Sequence, residues 1–101
     1  MSAEKKSKDG VMEIYLSGKI VHPHNEDMIA WTEDFLVSGS HTLLLNFKDV
    51  TFIDSAELGA LLLVRMRLTD QQKTLILKEP SDFVRKMFEN YQFDKVFTIE
   101  N

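Results

Sequence analysis

The run TLLLNF, Thr42 to Phe47, constrains the chain most. It is a nearly continuous apolar stretch of strand length, the pattern of a strand covered on both faces rather than one. Such strands sit in parallel sheets, whose crossovers are usually helices, so the flanking segments should read as helices. Upstream, Met28, Trp31, Phe35 and Leu36 recur at helical spacing behind Asn25, a good cap, and behind Glu26 and Asp27, which suit the positive end of a helix dipole. They predict a helix over 26–37, closed by Ser38-Gly39-Ser40. Downstream, Asp49 marks a bend, Val50 to Ile53 is extended again, and a second helix runs from Ala56 to Thr69. Its apolar residues occupy almost every side as far as Val64, which predicts that much of it is buried.

The remaining segments fit the same scheme. In VMEIYLSG, Met12, Ile14 and Leu16 alternate with Val11, Glu13, Tyr15 and Ser17, giving a strand with one face in the core. KIV then reads as a short second strand, stopped by His22-Pro23. TLILKE is a further strand. Pro80 and Ser81 open a third helix striped by Phe83, Val84, Met87, Phe88 and Tyr91, and KVFTI supplies a last short strand. The order predicts an α/β fold: a mixed sheet of four to five strands, largely parallel after a first hairpin, with three to four helices mainly on one face. A chain of 101 residues supplies one core, so residues 10–101 form one domain. Met1 to Asp9 is charged, lacks apolar spacing and reads as a flexible tail.

Several function classes are excluded. The formal charge of −4 and the scattered basic residues give no stripe for nucleic acid. Without cysteine there is no disulfide, thiolate metal site or cysteine nucleophile. His22 and His24 form an H-x-H pair, but no third ligand is assigned by spacing, and two unrelated loop histidines are the simpler reading. No phosphate-binding glycine loop, nucleophile elbow or other catalytic set occurs, so neither a cofactor nor an enzymatic activity is expected. The longest apolar run, Leu58 to Val64, is far short of the ~20 residues of a membrane span, and the N-terminal residues lack a signal-peptide core. A cytoplasmic protein is expected.

What remains is the strand-to-helix junction VTFIDSAELGALLLV, Val50 to Val64. Asp54, Ser55 and Glu57 crowd a helix start whose first amides lack intrahelical partners. Asp54 with Glu57 has the form of a capping box, and Ser55 is an alternative cap. The same geometry exposes a serine hydroxyl at the end of a rigid strand. A phosphate there gains roughly 0.3–1 kcal/mol per charge from the helix end. It loses on the order of 1–3 kcal/mol to each neighbouring acid. These local terms oppose each other within the monomer, whereas a new dianion is decisive at a partner's surface, which suits a binding switch better than a folding switch.

LSGKI, LLLNFKDVTFIDSAELGALL and LILKEPSDFVRKMFENYQFDKVFTI together resemble the sulfate-transporter and anti-sigma-antagonist (STAS) domain, and more narrowly the stand-alone bacterial anti-anti-sigma factors. The resemblance covers Val11 to Glu100. Its most specific part is a strand ending in aspartate, then serine, a small residue, and Leu-Gly in the helix. The resemblance implies a partner switch. The unphosphorylated chain would bind a GHKL-type serine kinase that is also the anti-sigma factor, phosphorylation on Ser55 would release it, and a PP2C-type phosphatase would restore binding. The implied contact surface is Val21, His22, His24 and Asn25 with Asp54, Ser55, Ala56, Glu57 and Leu58, on a monomer or weak dimer. Two residues after Ser55 depart from the family's Ser/Thr-Gly: Ala56 leaves a single acceptor, and Glu57 brings a charge. Val21 replaces the family's acidic residue in the other loop. The downstream output on this resemblance is a sigma factor, or a biofilm, secretion or cyclic-dinucleotide pathway. The alternative within the family is an accessory subunit of a phospholipid-transport ABC ATPase, but such subunits tend to carry threonine at this turn.

Overall fold

The computed structural model describes residues 2–21 and 25–101. Five strands form one sheet in sequence order: β1 (Ser2–Lys8), β2 (Val11–Ile20), β3 (Thr42–Ile53), β4 (Thr74–Lys78) and β5 (Thr98–Glu100). β1 runs antiparallel to β2, and every later pair is parallel. The three crossovers carry α1 (Asn25–Ser38), α2 (Ser55–Asp70) and α3 (Asp82–Asn90), the last followed by a 3-10 turn over Phe93–Lys95.

Parallel strands laid down in sequence order, each joined by a crossover of the near-universal right hand, put all their helices on one face of the sheet. Burial follows that geometry. Met12 and Ile14 of β2 lie in register with Leu43 and Leu45 of β3, and these with Leu75 and Leu77 of β4. All except the partly buried Leu75 sit in one core with Met28 and Phe35 of α1, Leu58 and Leu61 of α2, and Val84 and Phe88 of α3. The core continues through an edge-to-face contact between Phe47 and Phe88 and stacked Phe88–Phe93 and Phe93–Phe97 pairs.

The opposite face has no helix. Long polar side chains half-cover it instead, so TLLLNF is covered by helices on one face only: Leu43, Leu45 and Phe47 are buried, while Leu44 is intermediate. Asn46 lies on this open face yet is only 4% exposed. Its Nδ2 donates to Glu13 Oε2 and Glu79 Oε2, each at 3.1 Å, and its Oδ1 accepts from the Lys48 amide at 2.9 Å. Lys78 pairs with the same Glu13 oxygen at 3.3 Å.

Three expectations need correction. The stretch read as a flexible tail is, over Ser2–Lys8, a strand paired along its length with β2. Asp9 and Gly10, with φ of 54° and 81°, form the two-residue turn between them, and positive φ at both central residues is what a type I′ hairpin requires. The hairpin expected within residues 11–21 is absent, because VMEIYLSG and KI are one strand with register shifts near Ser17 and Gly18. The bend expected at Asp49 is likewise absorbed into the twelve-residue β3.

Candidate functional site

The carboxyl ends of β2, β3 and β4 form one edge of the sheet, from which the chain turns into α1, α2 and α3. Hydrogen bonds fasten this edge. The Asp54 amide donates to the Ile20 carbonyl at 3.2 Å, joining the ends of β2 and β3. Ser81 caps α3 by position, but its hydroxyl donates to the Val50 carbonyl at 2.8 Å, tying the start of α3 to β3.

Asp54 sits in extended backbone at φ −92°, ψ 170°, and its carboxylate accepts from the Glu57 amide at 2.9 Å. Its carbonyl accepts from the Leu58 amide at 3.0 Å and so opens the helix ladder. Asp54 is therefore the N-cap, and Ser55 is released from capping to the first helical position, where it is exposed. The capping box is half made. Its first bond is present, whereas the Asp54 amide, which a reciprocal Glu57 would accept from, serves Ile20.

The expected contact residues separate by burial. Ser55 and Ala56 are exposed, and Asp54 and Val21 are intermediate. Glu57 and Leu58 are 0% and 2% exposed, so neither presents a surface to a partner. The third helical position of α2 turns inward, which places the Glu57 side chain inside the fold. Asn25 opens α1, and His22 and His24 lie outside the described residues. Among the described residues, no three His, Cys, Asp or Glu side chains converge as a metal site, and no helix is long and apolar enough to cross a membrane.

Sequence reasoning missed a feature beside the turn. α2 was expected to be largely buried, but a helix lying on one sheet face has only one side to bury. Leu58, Leu61, Val64 and Leu68 take that side, leaving Leu62, Leu63 and Met66 exposed by 39%, 67% and 58%. Of these, Leu63 borders an open groove of about 640 Å³ between α1 and α2. It begins at Ala56, next to Ser55, passes over Gly59 and Ala60 between Ile29 and Leu63, and ends near the ion pair of Glu33 with Arg67. An apolar circumference on a helix in a two-layer fold was the available signal.

The model of the STAS domain family matches residues 2–101. No curated protein sequence matches the chain. Among solved structures, the chain is similar to the anti-sigma factor antagonist SpoIIAA in its unphosphorylated form, with a TM-score of 0.81 and 24% identity, covering 99% of this chain and 89% of that one. SpoIIAA has also been solved in its phosphorylated form, described as a Bacillus cell fate determinant; the TM-score is 0.74 at 22% identity, covering 99% and 92%. A putative anti-sigma factor antagonist from Thermotoga maritima gives a TM-score of 0.87 at 20% identity, covering 98% and 86%. At these identities the structures speak for the fold, whereas the family match runs through nearly the whole sequence. The chain belongs to the STAS domain family, with the fold of the anti-sigma factor antagonists.

Proposed function

We propose that this chain is an anti-sigma factor antagonist that works as a phosphorylation-controlled partner switch, with Ser55 as the acceptor. The observation that carries the reading is the division of labour at the turn: Asp54 caps α2, and Ser55 stands exposed at its first position. A kinase can reach that hydroxyl without unfolding the helix. Phosphorylation there sets a dianion at the helix start beside the Asp54 carboxylate, on a surface that a partner would have to desolvate. On this reading the chain is a substrate of catalysis and not its agent. The unmodified form occupies a GHKL-type serine kinase that is also an anti-sigma factor, phosphorylation releases it, and a PP2C-type phosphatase resets it. The contact surface is the exposed part of the turn, Asp54, Ser55 and Ala56 with Val21, extended by the apolar groove that starts at Ala56. The likeness to SpoIIAA, known in unphosphorylated and phosphorylated forms, supports the assignment. A cytoplasmic location and an output through a sigma factor, biofilm, secretion or cyclic-dinucleotide pathway belong to the same proposal.

The test is capture of partners from native lysate by Ser55→Ala and Ser55→Asp variants, read by mass spectrometry. Ser55→Ala is expected to retain a kinase of this class, and Ser55→Asp to lose it by about tenfold, or 1.4 kcal/mol. Equal recovery of one transport ATPase by both variants would contradict the switch and favour the accessory-subunit role.

A further inference from the structure

We propose that the cleft between the C-terminal half of α2 and the starts of β4 and β5 is a binding site for a small oxyanion, either free phosphate or the phosphoryl group of a small phosphomonoester. The cleft holds about 240 Å³, below the ~300–1,000 Å³ of pockets that take drug-sized ligands, so its occupant is compact. Arg65, Lys73, Thr69, Thr74 and Thr98 line it, and no acidic residue does. In a chain of net charge −4, a concavity with two cations, three hydroxyls and no carboxylate has a clear preference for negative charge.

The cations are also available. Arg65 Nε donates to the Val96 carbonyl at 2.6 Å, which fixes the guanidinium against the turn before β5. Its two terminal nitrogens and the Lys73 ammonium enter no ion pair among the described residues, whereas Lys5, Arg67, Lys78 and Arg85 are each paired with a carboxylate. A guanidinium held by one nitrogen and open at the other two presents the fork that matches two oxygens of a phosphoryl group. Lys73 adds a point charge, and the threonine hydroxyls can donate to the remaining oxygens.

The negative end of α2 lies nearby and would oppose an anion. Three of its last carbonyls are engaged, however: Arg67 accepts from Gln71, Thr69 from Gln72 and Leu68 from Lys73, at 3.2, 3.0 and 2.8 Å. The site is ten residues along α2 from Ser55, roughly 15 Å at 1.5 Å per residue, and stands independently of the switch.

The test is a titration of the full chain with inorganic phosphate, replacing chloride at constant ionic strength, followed by amide resonances in two-dimensional NMR. The expected result is a saturable response centred on Thr69, Lys73, Thr74 and Thr98. Lys73→Gln should weaken it about fivefold or more, and Arg65→Gln should abolish it. Lys73 is the decisive position, because among the described residues its side chain makes no hydrogen bond or ion pair, and its variant should retain the wild-type spectrum elsewhere. A parallel titration with glycerol phosphate separates the sources: tighter binding than phosphate assigns the site to a phosphomonoester, and equal binding to the free ion. Non-saturating shifts, saturation centred elsewhere, or an unchanged affinity in folded Lys73→Gln would overturn the proposal.

Discussion

At the scale of single residues, the turn from β3 into α2 separates two roles that the sequence places side by side. Asp54 and Ser55 are both good caps, and local propensity does not choose between them. The choice comes from the strand: the Asp54 amide is held by Ile20, which fixes Asp54 outside the helix and makes Ser55 its first residue. Replacing Asp54 by Ala should therefore cost about 0.5–2 kcal/mol in urea unfolding, the range for a lost N-cap. Ser55→Ala should leave stability nearly unchanged, since Asp54 does the capping. Equal losses in both variants would mean that the cap is shared. The D-x-x-E spacing made the Asp54 half of this legible. The inward turn of Glu57 was not, because a charged residue at the start of a helix reads as exposed until the core beside it is known.

At the scale of elements, the clearest lesson is β1. Ser2–Lys8 has no apolar alternation, since an edge strand with largely solvated side chains has little to bury, and its burial pattern is exposed almost throughout. Its one legible mark was Asp9-Gly10, a strong two-residue hairpin signal when strands flank it. The turn is also packed. A Cβ at Gly10 would lie 2.6 Å from the His41 ring, in a backbone at φ +81°. Gly10→Ala should destabilise the protein by about 1–3 kcal/mol and speed amide exchange in β1 above that in β3. Uniform exchange across the sheet would argue against a β1-specific effect.

The open face of the sheet carries a second element-scale prediction. Burial alone would push the Glu13 carboxyl up, but hydrogen bonds from Asn46, Lys78 and Tyr15 outweigh it and hold the group below its ordinary value. Its hydrogen bond to Glu13 in turn raises Lys78. A depressed carboxylate contributes stability that is present above its unfolded value, about 4.3, and is lost as pH falls through the folded one. A raised lysine contributes below about 10.4 and loses its contribution as pH rises further. The stability difference between the native chain and Glu13→Gln should thus be largest near neutrality and shrink towards acid, as followed by urea unfolding across pH. A difference that stays constant from neutral to strongly acidic pH would contradict the network.

At the scale of the whole molecule, sequence order is sheet order. Each parallel crossover moves the chain one strand along and places its helix on the same face, so the carboxyl ends of β2, β3 and β4 share one edge. The α/β alternation was readable because β2 alternates, the TLLLNF run of β3 is continuously apolar, α1 and α3 carry helical stripes, and turn signals separate them. The partial exposure of α2 was not, since it depends on there being only two layers. That architecture puts Ser55 between the ends of β2 and β4, in the middle of the edge and beside the groove mouth at Ala56. The central claim is that the charge on Ser55 decides whether the edge binds. Its most direct test is isothermal titration of the captured partner with unmodified chain and with chain carrying phosphate on Ser55. The account predicts at least about tenfold weaker binding of the phosphorylated form, near 1.4 kcal/mol. Equal affinity of the two forms would contradict it.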